Sequence, residues 1–150
     1  MKDREFQLTD TVRQTAYEVH RFFGSGHLEK VYENALAHRL RKAGLNVKQQ
    51  HPITVRDEDG TIVGDYLADL FVEEALILEL KAAREIANEH IAQLLGYLRA
   101  SRLEHGAVLN FGAPKFQIRK LAMRDSNPVP TNVIASLLTL LSPFFTSFGQ

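Results

Sequence analysis

The chain has 150 residues, of which 45% are hydrophobic and 24% charged, and this composition suits one globular domain with a single core. Its 18 basic and 18 acidic residues cancel, so no overall field points to a polyanionic partner, and the absence of cysteine excludes disulfides and thiolate metal sites. The N-terminal MKDREFQLTD lacks the apolar core of a signal peptide, which predicts a soluble cytoplasmic protein.

The first half of the chain predicts two helices followed by three strands. Apolar residues recur at helical spacing over 9–23 and over 27–43, and glycines separate and end these two segments. Strands are predicted over 47–55, 61–72 and 75–81, with DEDG as the turn between the first two. Pro52 cannot donate to a strand ladder, so the first strand is expected at a sheet edge or with a bulge.

The second half predicts a helix over 85–102 and two short strands over 107–111 and 116–123. This order of helices, strands, helix and strands is typical of an α/β fold. We expect a mixed central β-sheet of about five strands flanked by helices.

Residues 128–150 form a tail of different composition. From Val129 to Gln150 no residue is charged, but Pro130 and Pro143 interrupt the run, so a membrane span is not expected. A short helix over about 132–142 is expected instead. It would dock on the domain or on a second copy of the chain in a homodimer.

Two isolated acids, Asp69 and Glu79, lie in the apolar strands YLADLFV and LILELK. Regular alternation places Ala68 and Leu70 on one face of the sheet and Asp69 on the other. A three-residue loop over 73–75 would set Asp69 directly opposite Glu79, with Cβ atoms about 4.5–5.5 Å apart. A two-residue loop would send Glu79 to the other face.

Opposed carboxylates repel unless one is protonated or a cation bridges them, and a hard divalent ion such as Mg²⁺ or Mn²⁺ prefers oxygen ligands. Lys81 shares a face with Glu79 and could hold a water molecule or help to deprotonate it. The alternative is a surface hairpin on which Glu79 and Lys81 form an ordinary ion pair and Asp69 is solvated.

Five segments of the sequence together resemble a known family. GHLEKVYENAL matches a GxxExxY signature through Gly26, Glu29 and Tyr32, and YLADLFV, LILELKA, HIAQLLGYLRA and LNFG follow in order. Over about residues 9–123 the chain resembles the GxxExxY family of the PD-(D/E)XK nuclease superfamily, although Ala68 stands where the superfamily motif has proline.

The resemblance implies a restriction-endonuclease-like core within residues 1–127. It implies a hydrolase: a metal-dependent nuclease that cleaves phosphodiester bonds, with DNA as the expected substrate. The alternative is a catalytically silent module of the same fold that binds nucleic acid or protein.

The resemblance also assigns roles to individual residues. Glu29, Asp69, Glu79 and the carbonyl of Leu80 would bind Mg²⁺ or Mn²⁺, and the catalytic set would be Glu29, Asp69, Glu79, Lys81 and Gln93. Gln93 and Tyr97 resemble a QxxxY element that could bind a phosphate or steady the lysine, or else Tyr97 belongs to the core. The alternative role of Glu29 is a favourable interaction with the helix dipole.

Basic residues are candidates for backbone contacts with nucleic acid, which would be largely independent of base sequence. The residues expected to bind nucleic acid are Arg84, Tyr97, Arg99, Arg102 and Lys115, with Arg119 and Lys120 as further basic candidates. His90 is interpreted as a hydrogen-bonded boundary residue, Tyr32 as a core residue with an anchored hydroxyl, and Asn110 and Phe111 as structural.

Overall fold

The structure is a computed structural model that describes residues 2–123, so the tail over 128–150 and its expected role in a homodimer lie outside the described residues. Its elements in chain order are α1 (Lys2–Phe23), α2 (Glu29–Lys42), β1 (Val47–Arg56), β2 (Ile62–Val72), β3 (Leu76–Lys81), α3 (Asn88–Ser101), β4 (His105–Asn110) and β5 (Gln117–Ala122). This order is the predicted one, although α1 begins earlier and α3 later than expected. No helix in this described part is long and apolar enough to cross a bilayer.

The five strands form one mixed sheet in the order β1-β2-β3-β4-β5. β3 and β4 are parallel, whereas the other neighbouring pairs are antiparallel. Helix α3 supplies the crossover between β3 and β4, as a parallel pair requires. The edge position of β1 confirms the expectation for the strand that contains Pro52.

Two apolar cores cover the two faces of the sheet. One core joins α1 and α2 to the sheet and includes Leu36, Leu78 and Leu109, while the other joins α3 to the sheet and includes Ile77 and Leu94. β3 is therefore buried on both faces, as is usual for a strand at the centre of an α/β sheet. By regular alternation from Ile77, the two charged residues of β3 project toward α3.

The turn between β2 and β3 has three residues. Val72 pairs with Leu76, which is the register that sets the two strand acids opposite each other. Glu73 and Glu74 both adopt positive φ, 54° and 52°, a region that residues other than glycine rarely occupy. Their side chains hold the turn against β1, because Glu73 Oε1 accepts the N–H of Asn46 at 2.8 Å and Glu74 pairs with a lysine of that strand.

The face alternation of β1 and β2 breaks at Gln50 and Asp69. Gln50 has φ of +51°, and the regular β1–β2 register is interrupted at this pair. Ala68 packs in the core under α3, whereas Leu70 packs in the core under α1 and α2. The prediction that these two residues share a face was wrong, because a left-handed residue in β1 interrupts the pleat of both strands at this position.

Candidate active site

Asp69 and Glu79 are held together by two hydrogen bonds. The backbone N–H of Asp69 donates to Glu79 Oε1 at 3.1 Å, and the N–H of Leu80 donates to Asp69 Oδ2 at 2.8 Å. Glu79 is only 2% exposed, and Asp69 is partly buried. The three-residue loop thus produces the predicted juxtaposition, and the solvated surface hairpin offered as the alternative is wrong.

Burial disfavours the ionised form of both carboxylates. It raises the pKa of Glu79 to about 8, with a further contribution from the negative charge of Asp69. Burial also raises the pKa of Asp69 above its ordinary range, and this outweighs its hydrogen bond from Leu80. Among residues 2–123, no ion pair involves either acid.

Lys81 bonds to a neutral partner although two acids lie nearby. Its Nζ donates to Gln93 Oε1 at 2.9 Å, and Gln93 Nε2 donates to the hydroxyl of Tyr97 at 2.9 Å. The charge of Lys81 lowers the pKa of Asp69 and of Glu79, which places the ammonium close to both, but burial has the larger effect. These two hydrogen bonds, from Lys81 to Gln93 and from Gln93 to Tyr97, hold the ammonium beside the carboxylates without neutralising it.

Tyr97 is buried in the core at the end of this series of hydrogen bonds. It is 7% exposed, and its ring lies 4.9 Å from that of Tyr66, which is 43% exposed on β2. The hydroxyl of Tyr97 holds the glutamine by accepting the hydrogen bond from Gln93. The lysine-steadying and core interpretations both describe these contacts, and the expectation that Tyr97 also contacts nucleic acid stays a prediction.

Glu29 lies in the exposed first turn of α2, near the carboxylate pair. Its charge contributes to raising the pKa of Glu79. The preceding loop is fixed by the signature residues: Gly26 adopts φ of +110°, and the hydroxyl of Tyr32 donates to the carbonyl of Gly24 at 2.6 Å. Tyr32 is fully buried, which confirms its interpretation as a core residue with an anchored hydroxyl.

The predicted metal ligands are brought together only in part. Within residues 2–123, no three His, Cys, Asp or Glu side chains are grouped to hold a metal, so the structure does not join Glu29 to Asp69 and Glu79 as a third carboxylate ligand. A metal site made of Asp69, Glu79 and the Leu80 carbonyl needs only two carboxylate side chains. Glu79 is buried and the adjacent Asp69 partly buried, and neither forms an ion pair in the described part of the chain, so the two carboxylates fit a hard divalent cation.

Asn110 and His90 have structural contacts beside the site. Asn110 is fully buried, and its side chain bonds to the N–H and carbonyl of Ala83 and to the N–H of Gly112. A Cβ on Gly112 would lie 2.4 Å from the backbone nitrogen of Ala83, so only glycine fits there. Nδ1 of His90 accepts the N–H of Ala87 at the start of α3, which confirms its boundary role.

Sequence reasoning missed two residues behind Asp69. Glu33 is 4% exposed on α2 and accepts hydrogen bonds from Lys30, Gln49 and Gln50. Gln50 also donates to Asp69 Oδ1 at 3.3 Å. An acid on the apolar face of a predicted helix was a visible signal for Glu33, but no local pattern marks Gln50, whose positive φ is not expected of glutamine.

The basic candidates are all exposed but lie on different elements. Arg84 and Lys115 are in the loops that follow β3 and β4, at the same end of the sheet as Lys81. Arg99 and Arg102 are at the end of α3 and line a cavity of about 410 Å³ with the β1–β2 hairpin. The structure therefore places Arg84 and Lys115 on loops at one end of the sheet, and Arg99 and Arg102 together at the end of α3.

Comparisons with known proteins agree with this architecture. A family model of the PD-(D/E)XK nuclease superfamily matches residues 6–121. A solved structure titled "Crystal structure of SSO0001" has a TM-score of 0.54 and 17% identity, covering 79% of this chain and 59% of that chain, so this chain spans under two thirds of that protein. At this identity the likeness shows the fold alone, which is restriction-endonuclease-like, and no curated protein matches. The family model covers well over half of the sequence, and the chain belongs to the PD-(D/E)XK nuclease superfamily.

Proposed function

We propose that this chain is a metal-dependent nuclease that hydrolyses phosphodiester bonds in DNA, with Mg²⁺ or Mn²⁺ as its cofactor. The observation that carries the proposal is the arrangement of β3 beside β2. Asp69 and Glu79 lie against each other in a buried setting, while Lys81, on the same strand as Glu79, is held by Gln93. Binding alone does not require a buried carboxylate pair.

The residues that would hold the metal are Asp69, Glu79 and the carbonyl of Leu80, and Glu29 is proposed to reach the ion or its water from α2. At this site the cation would supply Lewis acidity, lowering the pKa of water and offsetting negative charge on the phosphate. The raised pKa values of the two acids support this proposal, because a divalent cation would favour the ionised carboxylates that burial disfavours.

Lys81 is proposed to orient the attacking water or to offset the charge that develops on the phosphate. An ion pair with Glu79 would neutralise its charge, but a hydrogen bond to an amide oxygen leaves it available. Gln93 is in turn fixed by Tyr97, so the ammonium is positioned before substrate binds. Positioning of this kind lowers the activation barrier because the ammonium need not be reoriented when the substrate reacts.

The exposed basic residues are proposed to contact the phosphate backbone. Arg84 and Lys115 are on loops at the end of the sheet where Lys81 lies, and Arg99 and Arg102 would contact a longer substrate along α3. Such contacts predict salt-dependent binding with little base preference. We further propose membership of the GxxExxY group, supported by the loop geometry of its signature residues, and a cytoplasmic location, in keeping with the absence of cysteine.

The test is Mg²⁺- or Mn²⁺-dependent cleavage of plasmid and single-stranded DNA by the full chain. Lys81→Ala is compared with Lys48→Ala, because Lys48 is exposed on β1 and pairs with Glu74 in the turn before β3, at the other end of that strand from Lys81. We expect cleavage to require the metal, to be lost in Lys81→Ala and to be retained in Lys48→Ala. DNA binding without cleavage by the wild type, over several substrates and both metals, would instead support the catalytically silent module.

A further inference from the structure

The amide of Gln50 lies between two carboxylates. Its Nε2 is 2.5 Å from Glu33 Oε1 and 3.3 Å from Asp69 Oδ1. An amide nitrogen carries two hydrogens and can donate to both acceptors, whereas the amide oxygen would be repelled by either carboxylate. The orientation of the Gln50 amide is therefore set by its surroundings.

Glu33 is well placed to fix that amide. It is 4% exposed on α2, and besides Gln50 it accepts hydrogen bonds from Lys30 Nζ at 2.7 Å and Gln49 Nε2 at 2.6 Å. A buried carboxylate with three donors has little freedom to move. Through Glu33, the side chain of Gln50 on the edge strand β1 is held by helix α2.

The backbone of Gln50 points to a role for its side chain. At φ of +51° glycine would meet no steric penalty, whereas glutamine is strained. Glycine, however, would provide no amide to reach Glu33 and Asp69. Strain of this kind persists where the surroundings impose it and is common at functional sites.

Asp69 is bonded at both carboxylate oxygens. Oδ2 accepts from the N–H of Leu80 at 2.8 Å, and Oδ1 accepts from Gln50. Each carboxylate oxygen has two lone pairs, so one on each oxygen remains for a further partner. With both oxygens held, the plane of the carboxylate is fixed beside Glu79.

We propose that Gln50, locked by Glu33, is the positioning residue that orients the carboxylate of Asp69 toward the cation shared with Glu79. This inference rests on the proposed function, since it assigns a support to the metal site. Supporting partners of metal ligands typically change metal affinity by about 10–100-fold when removed.

The test is titration calorimetry of the full chain with Mn²⁺. Gln50→Ala and Gln50→Gly remove the amide, and the glycine variant tolerates the positive φ if the alanine variant fails to fold. Lys48→Ala is the matched control on β1, because the Lys48 side chain pairs with Glu74 and not with Glu33 or Asp69. Asp69→Asn reports the loss of the ligand itself, and thermal unfolding checks that each variant is folded.

We expect Mn²⁺ affinity to fall about 10-fold or more in both Gln50 variants and to stay within about threefold of the wild type in Lys48→Ala. Saturating Mn²⁺ should restore much of the cleavage rate of the Gln50 variants. Wild-type affinity in folded Gln50→Gly, with affinity lost in Asp69→Asn, would overturn the positioning role and leave the proposed function intact. A wild type that binds no Mn²⁺ would overturn both.

Discussion

Replacing Glu79 with glutamine should stabilise the metal-free protein, and the gain should grow with pH. Burial and the charge of Asp69 raise the pKa of Glu79 from 4.5 to about 8. Between these values the folded state retains a proton that the unfolded state has released, so stability falls as pH rises. Glutamine cannot ionise, and it keeps the oxygen that accepts the Asp69 N–H.

The magnitude follows from the shift. The folded and unfolded pKa values differ by 8 − 4.5 = 3.5 units, and at about 1.4 kcal/mol per unit the full effect is about 5 kcal/mol. The difference in the free energy of unfolding between Glu79→Gln and wild type should rise by about 1 kcal/mol up to pH 5 and by roughly 3 kcal/mol up to pH 7, then level off above pH 8.

The assay is urea denaturation at pH 5, 6, 7 and 8 in the presence of EDTA. Any change in packing shifts all four differences equally, so the rise with pH isolates the ionisation of Glu79. Glu74→Gln is the matched control, because Glu74 is exposed and Lys48 lowers its pKa, so its difference should not rise over this range. Added Mn²⁺ should then stabilise the wild type more than Glu79→Gln. A constant offset from pH 5 to pH 8 would show that Glu79 ionises normally, and the reasoning from burial would be refuted.

Three further predictions concern the site and its frame. Gln93→Glu should reduce the single-turnover cleavage rate at least 10-fold while the protein stays folded, because a carboxylate at this position would neutralise Lys81. A single-turnover rate equal to that of the wild type would contradict this. Gly112→Ala should lower stability by about 3 kcal/mol, since its Cβ would overlap neighbouring backbone; Gly64→Ala, whose Cβ meets nothing within 4 Å, is the control in thermal unfolding. Truncation after Asn127 tests the predicted role of the tail in a homodimer: light scattering should give a smaller assembly for the truncated chain than for the full chain, and an equal oligomeric state would exclude the tail from assembly.

The sequence reduced the register of the acid pair to two alternatives, a three-residue or a two-residue loop, because the pairing depends on local features. Alternating apolar residues delimited β2 and β3, and Glu73 and Glu74 indicated the loop between them. Once that loop has three residues, pairing of Val72 with Leu76 sets Asp69 against Glu79 without further information. The helix spacing of Gln93 and Tyr97 was equally visible, since an i, i+4 pair shares one face.

The sequence rule fails at Asp69 itself. Regular alternation would have kept Ala68 and Leu70 on one face, but they enter opposite cores because β1 carries a left-handed residue at Gln50. That conformation costs about 1–3 kcal/mol in a residue other than glycine, so no local preference predicts it. Its causes are tertiary contacts with Glu33, on a helix that the pattern of β1 does not reveal.

This failure is informative about the site. A regular strand needs nothing from Gln50 beyond its backbone, and a glycine would relax the kink. Glutamine at this position makes sense if its amide is needed where it lies, between a buried acid of α2 and the acid of β2. Local preference and tertiary structure disagree here, next to the carboxylate pair, and natural sequences tend to keep such conflicts where function requires them. The kink is therefore better explained as part of the proposed metal site than as an accident of the edge strand.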